Sequence, residues 1–211
     1  MRIALIHAVR VAMQPVEDAF RRHWPEAERI NLLDDALSVD RDRAGALTPQ
    51  LSRRIAALAH YALDGGAAGI LYTCSAFGEA IEAVQRASRV PVLKPNEAMF
   101  AEALSRGKRL GLLATFPSSV GSMEAELRAM QSDVQVKSAC VPEALKALQA
   151  GDGAKHDALL AAAAPQLGDC DALMLAQFST ARARDAVAAA VRCPVLTSPD
   201  SAVLAMRRRL S

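Results

Sequence analysis

Residues 69–98 read GILYTCSAFGEAIEAVQRASRVPVLKPNEA, and residues 172–202 read ALMLAQFSTARARDAVAAAVRCPVLTSPDSA. Each has the same four parts in order: an apolar run, a polar turn, an Ala-rich segment of helical period and a short Pro-Val-Leu run. Cys74 stands 17 residues before Pro91, and Gln177 stands 17 before Pro194. The runs RIALIHA at 2–8 and RLGLLAT at 109–115 open each copy at a similar offset. The chain therefore reads as two consecutive α/β units of about 100 residues each.

The rest of the pattern agrees. Short Ile/Leu/Val-rich runs predict strands at 2–7, 27–32, 67–73, 91–93, 109–115, 133–138, 171–177 and 194–198. Helical periodicity predicts helices near 14–24, 48–64, 77–88, 97–106, 119–130, 142–149, 154–166, 181–191 and 200–209, and assigns residues 33–47 to no element. Apolar strands separated by helices predict parallel sheets covered on both faces. Ligands of such sheets bind beyond the carboxyl ends of the strands. Two units face to face would place one active-site cleft between them, with Cys74 opposite Gln177.

Composition narrows the function classes. Lys plus Arg number 25 against 23 Asp plus Glu, so no bulk charge advertises a nucleic acid or a membrane surface. Aromatics make up only 4 %, too few for a base-stacking surface. The basic run Arg207-Arg208-Arg209 complements the end of a closing helix. No apolar run approaches the roughly 18 residues a spanning helix needs, and MRIALIHAVRVAMQ reads as a first strand, not a leader, because His7 and Arg10 interrupt it. The chain is expected in the cytoplasm. Its four cysteines, at 74, 140, 170 and 193, have neither CxxC nor zinc spacing, which predicts reduced thiols and no metal.

Cys74 stands where a strand hands over to a helix. The backbone N–H groups of Ser75, Ala76 and Phe77 should favour its thiolate, and a substrate carboxylate could be held by them and by the Thr73 and Ser75 hydroxyls. Cys74 is therefore expected to be the most reactive of the four thiols, with Cys140, Cys170 and Cys193 inert. The turn at 177–180 offers Gln177, Phe178, Ser179 and Thr180, and the loop LLATFPSSVGS offers Thr115, Ser118 and Ser119. Capping explains one hydroxyl of that loop, but three exceed what a cap requires. His7 and Arg10 follow the first strand and could reach the same cleft. His23, His60 and His156 fall in helical segments and read as surface or packing residues.

The tandem halves, the LYTCSAF turn and the LLATFPSSVGS loop resemble the aspartate/glutamate racemase superfamily, which includes hydantoin and allantoin racemases, maleate isomerase and arylmalonate decarboxylase. The resemblance covers essentially the whole chain. It implies two pseudo-symmetric lobes with the C-terminal helix returning to the first, here residues 1–95 plus 200–211, and 96–199. It implies cofactor-independent chemistry on a small carboxylate, in which one cysteine from each lobe exchanges a proton with the substrate α-carbon. Cys74 matches the first of these cysteines, flanked by the carboxylate-binding Thr73 and Ser75, and Thr115, Ser118 and Ser119 fall in the loop that completes the carboxylate site. Gln177 replaces the second cysteine, and glutamine has no titratable proton near neutrality. His7 is then the candidate for the missing acid.

Three functions fit these residues. One is a cofactor-independent racemase or isomerase acting through Cys74. A second is a one-cysteine decarboxylase or other lyase, which needs a single protonation. The third is a non-catalytic carboxylate-binding protein on the same scaffold. The partner in each case is a small molecule, with neither nucleic acid nor membrane, and a homo-oligomer is left open.

Overall fold

The structure is a computed structural model and describes residues 1–211 apart from the side chain of Ser118, so that candidate lies outside the described residues. The chain divides into two compact units, Met1–Ala98 with Ala202–Ser211, and Met99–Ser201.

The first unit contains β1 (Arg2–His7), α1 (Met13–His23), β2 (Glu28–Leu33), α2 (Ala36–Ala44), α3 (Pro49–Asp64), β3 (Gly69–Tyr72), α4 (Gly78–Ala87) and β4 (Val92–Leu93). The second begins inside α5 (Glu97–Arg106) and continues through β5 (Arg109–Ala114), α6 (Pro117–Met130), β6 (Gln135–Cys140), α7 (Pro142–Gln149), α8 (Gly153–Ala163), β7 (Ala172–Leu175), α9 (Arg184–Ala190) and β8 (Val195–Thr197). Helix α10 (Ser198–Leu210) starts in the second unit and ends in the first.

Each unit holds a four-stranded, wholly parallel sheet. The strand orders are β2-β1-β3-β4 and β6-β5-β7-β8. The registers match as well: Ile3 pairs with Gly69 in one sheet, and Leu110 with Ala172 in the other. Counting five residues on from Gly69 and from Ala172 reaches Cys74 and Gln177. The two residues thus hold the same position in their own sheets.

Central strands are buried along almost their whole length, as a sheet covered on both faces demands. In the second unit Leu112 and Met174 join one apolar cluster, while Leu113, Leu173 and Leu175 join another. That split is the two-residue alternation of a strand with both faces packed. In the first, Ile6, Ile55, Ile70, Tyr72, Phe77 and Ile81 form one cluster, and the Tyr72 hydroxyl donates to the Ile55 carbonyl at 2.9 Å, tying β3 to α3. Two of the four edge strands depart from the expectation of uniformly apolar strands: β2 (ERINLL) and β6 (QVKSAC) carry polar residues and have no buried position, whereas the edge strands β4 and β8 are buried throughout.

Helix α2 was not expected. It buries only Leu37, so its sequence carries little helical periodicity. Charge holds it instead. Arg54 of α3 donates to both Asp34 oxygens, at 2.6–3.0 Å, and to Asp40 at 2.6 Å. Gly45 ends the helix at φ 66°, a left-handed conformation that costs glycine little. No helix among the described residues is long and apolar enough to cross a membrane.

Candidate active site

In both sheets the strand order changes direction between the first and third strands of the unit, and the space beyond the carboxyl ends there is where open α/β sheets bind ligands. In the first unit the residues at that point are His7, Thr73, Cys74 and Ser75. The Thr73 amide still donates to the Ile6 carbonyl, at 3.0 Å, so the ladder runs to the edge of the turn. Cys74 then has an extended backbone, and Ser75–Phe77 form a single 3-10 turn before α4 begins. Cys74 is half-buried, whereas Ser75 and Ala76 are exposed.

The expected thiolate-favouring field is weaker than its surroundings. Burial pushes the Cys74 thiol above its ordinary value, and the Asp42 carboxylate adds to the rise. The Ala76 amide, hydrogen-bonded to the sulfur, pulls the other way and loses. The helix proper starts four residues after the sulfur, and a helix dipole fades beyond its first turn.

Thr73 is held by a relay that runs inward from the half-buried Glu17 and the exposed Asn31 to the buried His7, and only two of its members were legible in the sequence. Glu17 accepts from Asn31 Nδ2 at 2.8 Å and from Arg29 Nε at 3.2 Å. A carboxylate can only accept, so Asn31 must turn its Oδ1 toward His7, where it lies 2.9 Å from Nε2. Nε2 therefore carries the proton, and Nδ1 accepts from the Thr73 hydroxyl at 2.9 Å. His7 is fully buried. Burial lowers its pKa, outweighing the Asn31 bond and the Glu17 charge, so the ring is neutral near pH 7. Both ring nitrogens being occupied, His7 positions Thr73. Asn31 and Arg29 were legible only as polar residues on one face of the strand ERINLL. Arg10, also a candidate, pairs with Asp35 at an exposed position.

In the second unit the corresponding turn carries Gln177. Its Oε1 accepts from the Thr115 amide at 3.0 Å and from the Thr115 hydroxyl at 3.3 Å, and its Nε2 donates to Ser119 Oγ at 2.8 Å. The Ser119 hydroxyl in turn donates a hydrogen bond to the Phe116 carbonyl at 2.8 Å. Thr180 Oγ1 accepts from the Gln177 amide at 3.3 Å, the N3 half of a capping box, and donates to the Gln177 carbonyl at 2.7 Å. Phe178 and Ser179 are buried, and the Ser179 hydroxyl bonds no described residue. Thr115, Ser119 and Gln177 thus come together as one set, with one Nε2 hydrogen of Gln177 bonded to none of the described residues. Among the described residues no three His, Cys, Asp or Glu side chains gather as a metal would require.

A family model described as Asp/Glu/Hydantoin racemase matches residues 11–167, more than half of the chain, and takes in Cys74, Thr115 and Ser119. No curated protein sequence matches the chain. Among solved structures, the chain is similar in fold to allantoin racemase from Klebsiella pneumoniae, at 18 % identity and TM-score 0.73, over 100 % of this chain and 87 % of that one. It is similar to glutamate racemase from Thermus thermophilus in complex with β-chloro-D-alanine, at 23 % identity and TM-score 0.69, over 99 % and 80 %. It is also similar to glutamate racemase from Francisella tularensis in complex with D-glutamate, at 14 % identity and TM-score 0.69, again over 99 % and 80 %.

Proposed function

The chain belongs to the Asp/Glu/hydantoin racemase family, and from that premise we propose that it moves a proton at the carbon beside a carboxylate of a small substrate, in a racemase- or isomerase-type reaction that uses Cys74 and no cofactor. The observation that carries this reading is the turn after β3, where a half-buried thiol lies between a hydroxyl fixed by His7 and an exposed serine. The D-glutamate held by the Francisella relative is a small carboxylate of the class proposed.

The chemistry follows from the groups present. The Cys74 thiolate takes the α-proton, and the electron pair it leaves spreads into the carboxylate as an enediolate. The exposed Ser75 hydroxyl would donate to one of those oxygens, strengthening as charge develops, while the Thr73 proton stays on its bond to His7 and the Ala76 amide stays on the sulfur. Return of the proton from Cys74 completes exchange on one face. Because burial favours the thiol, the step should quicken as pH rises.

A second reading is favoured by Gln177, whose carboxamide is already engaged by Thr115 and Ser119 and brings no second acid. A decarboxylase-type lyase needs only one proton after carbon dioxide leaves, and a Cys74 kept as the thiol is suited to supply it.

The test follows solvent deuterium into the α-position of amino and hydroxy dicarboxylates, and carbon dioxide release from malonate analogues. Native chain, Cys74→Ala and Gln177→Cys are compared. Deuterium uptake that requires Cys74, with faster loss of optical activity in Gln177→Cys, supports the racemase-type reading. Carbon dioxide release that requires Cys74 selects the lyase. Exchange that survives Cys74→Ala removes the cysteine mechanism, and binding of carboxylates without either reaction leaves a binding protein.

A further inference from the structure

At the amino ends of β7 and β8, opposite the strand ends that carry Gln177, two thiols meet. Cys170 lies two residues before β7 and Cys193 two before β8. The parallel pairing of Leu173 with Val195 sets these strand starts side by side. Neighbouring strands run roughly 4.8 Å apart, within the span of about 4.4–6.8 Å between Cα atoms that a disulfide bridges. The two sulfurs are 3.0 Å apart.

The surroundings favour this meeting and leave it accessible. Gly168, at a left-handed φ of 70°, turns the chain out of the 3-10 segment Ala164–Leu167 toward Cys170. Gly111 in β5 leaves room for the sulfur, since a Cβ there would lie 3.3 Å from it. Both cysteines are half-buried, not sealed. With Pro165, Gly168, Asp169 and Arg192 they line a surface cavity of about 340 Å³.

We propose that Cys170 and Cys193 form a dithiol site that a low-molecular-weight disulfide, such as oxidised glutathione, converts to an intrachain disulfide. The Cys193 thiolate attacks one sulfur of the reagent, forms a mixed disulfide and expels one glutathione thiolate. Cys170 then attacks the Cys193 sulfur, the protein S–S bond forms, and the second glutathione leaves. The two protein thiol protons end on the two glutathione thiols, and two electrons pass from the protein to the reagent. Cys193 goes first because burial, with the neighbouring sulfur, pushes Cys170 up to about 12 and holds it as the thiol.

The experiment treats the full chain with oxidised glutathione, blocks remaining thiols by alkylation and maps the peptides by mass spectrometry without reduction. The expected product is a cross-linked pair of peptides joining Cys170 to Cys193, two hydrogens lighter than the thiols and reversed by dithiothreitol. Cys170→Ser should stop at a glutathione mixed disulfide on Cys193, because nothing is left to resolve it. The proposal is overturned if native chain keeps both cysteines alkylated, retains glutathione on each, or forms its disulfide through Cys74 or Cys140.

Discussion

His7 illustrates how far a single side chain can be read before its neighbours are known. As a sequence letter it is a titratable group near a strand end, and a candidate acid. In place it is a buried neutral ring that donates to Asn31 and accepts from Thr73. The link to Asn31 spans 24 residues, and protonation depends on burial, so neither was legible. Cys74, Thr73 and Ser75 were legible because their arrangement is local to one turn. The elevation of the Cys74 thiol was not, since it comes from packing around the sulfur. A folded-state pKa held below the ordinary imidazole value of about 6.5 means that the unfolded chain binds the proton first. The stability due to neutral His7 is thus complete above that value and is lost as pH falls below it, toward the folded pKa. Urea denaturation from pH 7 to pH 5 should show a slope of up to about 1.4 kcal/mol per pH unit from this group. His7→Gln, which cannot take up the proton, should flatten the curve by that amount. At Cys74 the expected effect is kinetic: Cys74→Ala should slow α-proton exchange by about 100- to 10,000-fold, the usual weight of a positioned acid/base.

Elements were legible in proportion to their apolar periodicity. α5 and α7 have the bounds predicted, and α9 is shortened because residues 178–183 form a 3-10 segment ahead of it. α2 went unread because ion pairs hold it, and these leave no period in the sequence. Arg54→Met should therefore cost about 1–2 kcal/mol, and hydrogen exchange should quicken at the amides of 36–44 before it does in α3. The Gln177 turn is the complementary case, a tie between the ends of β5 and β7 through the Thr115 amide. Gln177→Ala leaves that amide without its partner and should cost about 1–3 kcal/mol in chemical denaturation. Retention of full stability by that variant would show that water replaces the tie.

At the scale of the whole molecule, the equal 17-residue spacing already announced the repeat, and each unit does carry the same strand order and register. The sequence does not announce how intimately the last turns of α10 pack on β3. A Cβ on Gly69 would lie 2.7 Å from Met206 Sδ and 3.2 Å from a Leu210 methyl. Arg207 donates to the His23 carbonyl at 2.6 Å, and Arg209 pairs with Glu97 at 3.3 Å. Gly69→Val should therefore destabilise the chain by about 1–3 kcal/mol through overpacking, and limited proteolysis should then cut first within 202–211. This division of the chain also sets an order for its synthesis. Residues 99–201 are contiguous, whereas the first unit needs residues 202–211 as well as 1–98. The unit begun first is finished last. Throughout translation of the second, the strand beginning at Gly69 lacks the helix that shields it, and its open face is what a chaperone would meet until residues 202–211 arrive.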